Sequence, residues 1–281
     1  MCSDRLLDRS QQGVPVKQGR QIWGGMLQFY PASTSTNRAL ALVLHGFNMK
    51  PEKMADVIEL LGTLSIASLL LGVAGHRGDP PQNMTQENWD NDFLCGFAFA
   101  TRLAQLQRVP LYVVGHSMGC LIAAYGLATL QQRNQLPQVL KGCIYLAPGH
   151  GLRDIWQVPM IPVGKAIAST MQGHLPLLGF LFGRSDAVHT DLYRNGLEAL
   201  QYYAHQAQTS LNVRCPVPTL VLVDPTDPLI GLGKLQQMTQ QTQWHLVKLP
   251  VGGLLPHMCI YPSHRGWPQV CEQIRNFVAA T

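Results

Sequence analysis

Charge is scarce in this chain: Asp, Glu, Lys and Arg together make up 13% of its 281 residues, against 46% for the apolar types. That balance excludes a disordered or fibrous chain, and no internal repeat or low-complexity stretch is present. The net charge of +5 is spread along the sequence, with no run of Lys or Arg interleaved with aromatics to mark a nucleic-acid track, so nucleic acid is not an expected partner. Cysteine supplies no framework either. The seven cysteines are an odd number at irregular spacing, and Cys95, Cys120 and Cys143 lie inside apolar segments where a small thiol packs as core. No metal-ligand spacing emerges, and neither a metal nor a cofactor is expected. The segment from Met1 to Ser10 carries acids and lacks an apolar stretch, so no signal peptide or membrane anchor is expected and the chain reads as cytoplasmic and reduced.

What the chain does have is alternation. Strand-like pieces run from Gln21 to Tyr30, a continuous apolar strand from Ala39 to His45, helical spacing from Pro51 to Leu64, a strand from Ile66 to Leu71 and a longer helix from Glu87 to Leu106. Leu111 to Val114 and Cys143 to Leu146 read as further strands, then Thr219 to Val223, a helix near Leu229 to Thr239, a strand from Trp244 to Leu249 and a last helix from Pro268 to Ala279. Strand and helix in repeated order predict an α/β fold, a mostly parallel sheet covered on both faces, with chemistry at the strand carboxyl ends. The alternation breaks between about Pro148 and Cys215, where Pro, Gly and Met mix with apolar stretches and helical pieces such as Asp191 to Gln208.

The pentapeptide Gly115-His116-Ser117-Met118-Gly119 follows the apolar run from Pro110 to Val114 and precedes the helical spacing of Cys120 to Leu130. The pattern Gly-x-Ser-x-Gly is weak alone; in a strand-turn-helix setting it reads as a nucleophile elbow, a bend so tight that only Gly fits two positions to either side of the serine. A serine hydroxyl is a poor nucleophile at neutral pH, so a histidine must take its proton and a carboxylate must orient that histidine. Chains built on such an elbow run in the order serine, acid, histidine, the last two on loops after late strands. Asp227 and His257 fit that order. Asp224, nearer the strand end, is the rival acid and His264 the rival base; loop position favours Asp227, and the Gly252 to Pro256 loop favours His257.

Ester hydrolysis also needs two donors for a developing oxyanion. The Met118 amide supplies one, and the Phe47 amide, after the permissive Gly46, the other, with the Asn48 side chain as a supplement. His45 and His116 read as braces for these loops. His174, His189 and His205 fall in the irregular region, where solvent exposure is the default, and Pro228 is placed to open the helix after Asp227.

These residues resemble the α/β-hydrolase superfamily, and within it bacterial esterases, monoacylglycerol lipases or lysophospholipases, and serine aminopeptidase-like hydrolases. The pieces that carry the resemblance are His45-Gly46-Phe47, Gly75-His76-Arg77-Gly78, the elbow, Asp227-Pro228-Leu229-Ile230 and His257, spanning the chain from about residue 39 onward. The chain departs from the family where Arg77 interrupts the usual Gly-His-Gly, where Cys120 follows the elbow in place of a small residue, and where Pro256 precedes His257 in place of Gly. The resemblance implies a hydrolase core over 1–148 and 214–281, with 149–213 inserted as a lid over the serine. The stretch from Ile155 to Phe182 carries only Lys165 as a fixed charge and is suited to line an acyl pocket, to touch a lipid surface transiently, or to pack the lid onto the body. A free α-amine would need a carboxylate, and the lid offers chiefly Asp154, Asp186 and Asp191. The expectation is a serine hydrolase for small-molecule esters or lipids with an apolar acyl group. A thioesterase, an aminopeptidase-like amidase and a non-catalytic ligand-binding protein on the same fold stand as alternatives.

Overall fold

In the computed structural model, which describes residues 20–22, 25–34, 36–152, 174–175, 188–189, 192–209, 217–240, 242–252 and 255–281, the apolar segments form one eight-stranded sheet. Strands β1 (Arg20–Ile22) and β2 (Leu27–Tyr30) make an antiparallel edge, followed in the chain by β3 (Ala39–Leu44), β4 (Ile66–Leu71), β5 (Leu111–His116) and β6 (Leu140–Leu146). A separate ribbon pairs β7 (His174–Leu175) with β8 (Leu192–Tyr193), and β9 (Thr219–Val223) and β10 (Trp244–Lys248) complete the main sheet. The spatial order is β1-β2-β4-β3-β5-β6-β9-β10, parallel from β4 to β10.

Parallel neighbours need crossovers, and helices supply them. They are α1 (Ala55–Thr63), α2 (Gln86–Gln107), α3 (Met118–Gln132), α4 (Arg194–Thr209), α5 (Leu232–Thr239) and α6 (Trp267–Ala280). The period of two along a strand sorts side chains between two cores. In β3, Leu40, Leu42 and Leu44 join Trp89, Phe93 and Phe97 of α2 and Leu121 and Ile122 of α3; Ala39, Ala41 and Val43 join Val57 and Leu61 of α1 and Val270 and Ile274 of α6. All six residues of β3, β4 and β5 are buried, as expected for strands covered on both faces. Ala199 and Tyr203 of α4 belong to the first core, so this helix packs on the body. Tyr203 donates to the buried-side carboxylate of Asp90 on α2 at 2.6 Å.

Two boundaries depart from the sequence pattern. Strand β6 begins at Leu140 rather than Cys143, because Leu140 and Gly142 already pair with β5. Helix α5 begins at Leu232, not at Leu229: the amides of Leu229 and Ile230 donate to Asp227 Oδ1 at 2.8 and 3.3 Å, and Ile230 bridges Leu152, so this segment is held out of the helix, which Gly231 caps. Pro228 therefore does not open it. Cys120, Cys143 and Cys259 are buried, and Cys95 and Cys271 are half-buried. Among the described residues no helix is long and apolar enough to cross a membrane, and no group of three His, Cys, Asp or Glu side chains is arranged to hold a metal. Apart from His174 and Leu175, the oily stretch of 155–182 lies outside the described residues, as do Asp154, Asp186 and Asp191.

Candidate active site

Ser117 sits between β5 and α3 with φ 50° and ψ −112°, a backbone conformation that disfavours any residue with a Cβ. The bend is enforced on both sides. A methyl group on Gly115 would fall 2.8 Å from the Cys120 amide nitrogen, and one on Gly119 would fall 2.7 Å from the carbonyl oxygens of both Leu44 and His45. These are backbone atoms that cannot step aside. The strand bond from the Ser117 amide to Leu146 O, at 3.0 Å, ties the elbow to β6.

The histidine and the acid arrive from loops after the last two strands. His257 Nε2 lies 2.9 Å from Ser117 Oγ, and His257 Nδ1 lies 2.7 Å from Asp227 Oδ2. Asp227 is fully buried, and burial alone would raise its pKa. His257 beside it, with the Leu229 and Ile230 amides, outweighs burial and holds the carboxyl below its ordinary range. The ionised acid fixes the proton on Nδ1 and leaves the Nε2 lone pair toward the serine. His116 Nε2 donates to the His257 carbonyl at 3.1 Å, so the residue before the nucleophile also holds the loop that carries the imidazole.

The loop after β3 closes against the elbow: a methyl on Gly46 would lie 2.8 Å from His116 Nδ1 and 3.5 Å from Ser117 Cβ. Phe47 follows Gly46, and Met118 is the first residue of α3, where helix amides have no partner within the helix. Two imidazoles support this loop. His45 Nδ1 donates to Gly46 O at 2.8 Å while its Nε2 accepts the Val73 amide at 3.3 Å; His76 Nε2 accepts the Asn48 amide at 3.0 Å and its Nδ1 donates to Ala74 O at 3.2 Å. Both rings are thus neutral acceptors, and burial lowers the pKa of His45 to about 4 and that of His76 well below its usual value. Ala74 is in turn held by Trp89 Nε1 and by Asp92, which also pairs with Arg77 at 3.1 Å.

Of the residues expected from the sequence, the structure brings Ser117, Asp227 and His257 into one hydrogen-bonded row, with Phe47 and Met118 in the two segments that flank the serine. Asp224 and His264 lie together beside that row, 3.3 Å apart. Asn48 departs from expectation: its side chain exchanges hydrogen bonds with the backbone of His189 at 3.0 and 3.1 Å. His189 is likewise half-buried, its Nε2 donating to Gly75 O at 2.6 Å. These partners are 141 residues apart, and nothing local in the sequence announces them.

A family model described as "Alpha/beta hydrolase family" matches residues 41–265. Among solved structures, a soluble variant of monoglyceride lipase from Saccharomyces cerevisiae, in complex with a substrate analogue, is 15% identical with a TM-score of 0.72, over 95% of this chain and 96% of that one. A metagenome-derived lipolytic enzyme is 17% identical with a TM-score of 0.67, over 92% and 98%. Est1E from Butyrivibrio proteoclasticus, bound to ferulic acid, is 20% identical with a TM-score of 0.59, over 90% and 94%. At these identities the likeness speaks to the fold. No curated protein matches the sequence.

Proposed function

Because the chain belongs to the alpha/beta hydrolase family, we propose that it is a serine hydrolase that cleaves carboxylic esters with an apolar acyl group through an acyl-enzyme. The observation that carries this reading is the unbroken row Ser117 Oγ, His257 and Asp227, with contacts of 2.9 and 2.7 Å, at a backbone bend that holds the serine in a strained conformation. In this reading His257 Nε2 takes the hydroxyl proton as Ser117 Oγ attacks the ester carbonyl, and Asp227 stabilises the imidazolium that forms. The negative charge that develops on the carbonyl oxygen is met by the amides of Phe47 and Met118, oriented before reaction by the His45 and His76 contacts. His257 returns the proton to the departing alcohol. Water, activated by the same imidazole, then releases the acid.

Ester substrates with an apolar acyl group are favoured by two considerations. The neighbouring structures include a monoglyceride lipase and a lipolytic enzyme, and the segment proposed as a lid, 149–213 inserted between the core parts 1–148 and 214–281, is rich in apolar residues. The test is Ser117→Ala in purified protein whose circular dichroism matches the wild type. Turnover of p-nitrophenyl esters of graded chain length is expected to fall roughly 10,000-fold or more, and labelling by a fluorophosphonate probe to vanish. Unchanged turnover in the alanine variant rejects the reading.

A further inference from the structure

Asp224 is buried and stands outside the row from Asp227 to Ser117, yet both of its oxygens are engaged. Oδ1 accepts from the Thr226 amide at 2.7 Å and the Thr226 hydroxyl at 2.6 Å, and its main-chain carbonyl accepts the Asp227 amide at 3.1 Å. These bonds shape the turn that presents the acid. Oδ2 faces the other way: it accepts the amide of Gly252, in the loop that delivers His257, and lies 3.3 Å from Nε2 of the buried His264. His264 Nδ1 accepts the Gly266 amide, at the start of α6, at 2.9 Å, so the proton of the neutral ring belongs on Nε2, toward the carboxylate. The contact is a close charge-to-dipole approach rather than a well-aligned hydrogen bond.

Among the described residues next to Gly252 and before His257, Val251 and Leu255 are each 48% exposed, so neither of these side chains anchors the backbone by burial. Packing resumes only at Met258, Cys259 and Ile260. The fit around Gly252 is close: a methyl group there would fall 1.9 Å from His264 Nε2. One buried carboxylate thus joins the acid turn, the histidine loop and, through His264, the start of α6.

We infer that Asp224 and His264 are a positioning pair that holds the Gly252 to His257 loop against the acid turn and so sets the distance between His257 and Ser117. This rests on the serine-hydrolase reading, because only a reacting histidine makes that distance matter. A base displaced by about 1 Å costs on the order of 100-fold in rate while leaving substrate contacts intact.

The experiment measures kcat and KM with p-nitrophenyl butyrate, the pH profile of kcat/KM and the melting temperature for Asp224→Asn, His264→Ala, His264→Gln and Gly252→Ala beside the wild type. Asp224→Asn and His264→Ala are expected to lower kcat by roughly 10- to 100-fold with KM within about threefold, and to move the acidic limb of the pH profile. His264→Gln, whose amide can still donate to Asp224, is expected to recover most of the loss, and Gly252→Ala to resemble His264→Ala. A kcat within about twofold of wild type in Asp224→Asn and His264→Ala, whatever the melting temperature, overturns the inference, since the pair then only stabilises the fold. A loss of about 10,000-fold in Asp224→Asn with a mild effect of Asp227→Asn also overturns it, making Asp224 the acid of the row. A wild type that neither hydrolyses esters nor reacts with a fluorophosphonate removes the functional reading itself, and the inference with it.

Discussion

Acid should unfold this protein well before its carboxylates titrate, because four histidines are buried in a form that cannot take a proton: His76, held neutral as described above, and three more. His45 accepts the Val73 amide, His116 has an unbonded Nδ1 pressed toward Gly46, and His150, fully buried, bonds through neither ring nitrogen while stacking on Tyr145 and meeting Trp244 edge-on at 5.0 Å. Burial lowers their pKa values to about 4, about 3 and about 3 respectively, from 6.5 in the unfolded chain. The unfolded state therefore binds protons first as the pH falls, so this stability is complete above pH 6.5 and is lost between there and the folded-state values. At about pH 5 each of these three rings costs about 2 kcal/mol, together about 6 kcal/mol, out of the 5–15 kcal/mol typical of a folded domain. Urea unfolding followed by tryptophan fluorescence at about pH 7.5, 6.5, 5.5 and 5 reads the loss directly. His150→Phe keeps the stacking and removes one titration, so its stability should fall by about 2 kcal/mol less than that of the wild type over the same range, whatever its packing costs at neutral pH. A wild-type loss below about 2 kcal/mol, or an identical pH slope in His150→Phe, refutes the reasoning.

Three further perturbations probe other parts of the argument. Gly119→Ala drives a methyl group to within 2.7 Å of two backbone oxygens, and should lower stability by about 2 kcal/mol or more and abolish fluorophosphonate labelling, checked by thermal melting and gel fluorescence. Asp227→Asn removes the charge opposite the imidazolium while keeping the shape; kcat for p-nitrophenyl butyrate should fall about 10,000-fold, in stopped-time assays, with KM little changed. Tyr203→Phe strips the 2.6 Å bond from Asp90, whose pKa burial already raises, and should destabilise the fold by about 1–3 kcal/mol in urea melts, with the larger effect where Asp90 is ionised than where it is protonated.

The strands were legible because two-sided burial demands unbroken apolar runs, and the elbow because its sterics admit glycine alone at positions 115 and 119. Long-range polar pairing left no such trace. Asp224 and Asp227 look alike in the sequence; what separates them is that one meets His257 and the other meets Gly252 and His264, contacts made across 28 or more residues. The start of α5 was misplaced for the same reason: Pro228 is a good opening residue locally, but the carboxylate of Asp227 claims the amides of Leu229 and Ile230 first. The pairing of Asn48 with His189 carries no local signal, since the Asn48 side chain bonds to backbone atoms, which every residue possesses, 141 positions away.

The four segments that meet around Ser117 follow β3, β5, β9 and β10, and the imidazole stands 140 positions after the hydroxyl it contacts. A ribosome making this chain extrudes the elbow long before the partner that would arm it. On the proposed serine-hydrolase reading, the nascent polypeptide is inert until the segment carrying His257 docks, which gives biosynthesis a built-in safety catch. Two separately expressed pieces cut within the inserted region should each be silent and should regain labelling only on reassociation, a ready basis for a split reporter.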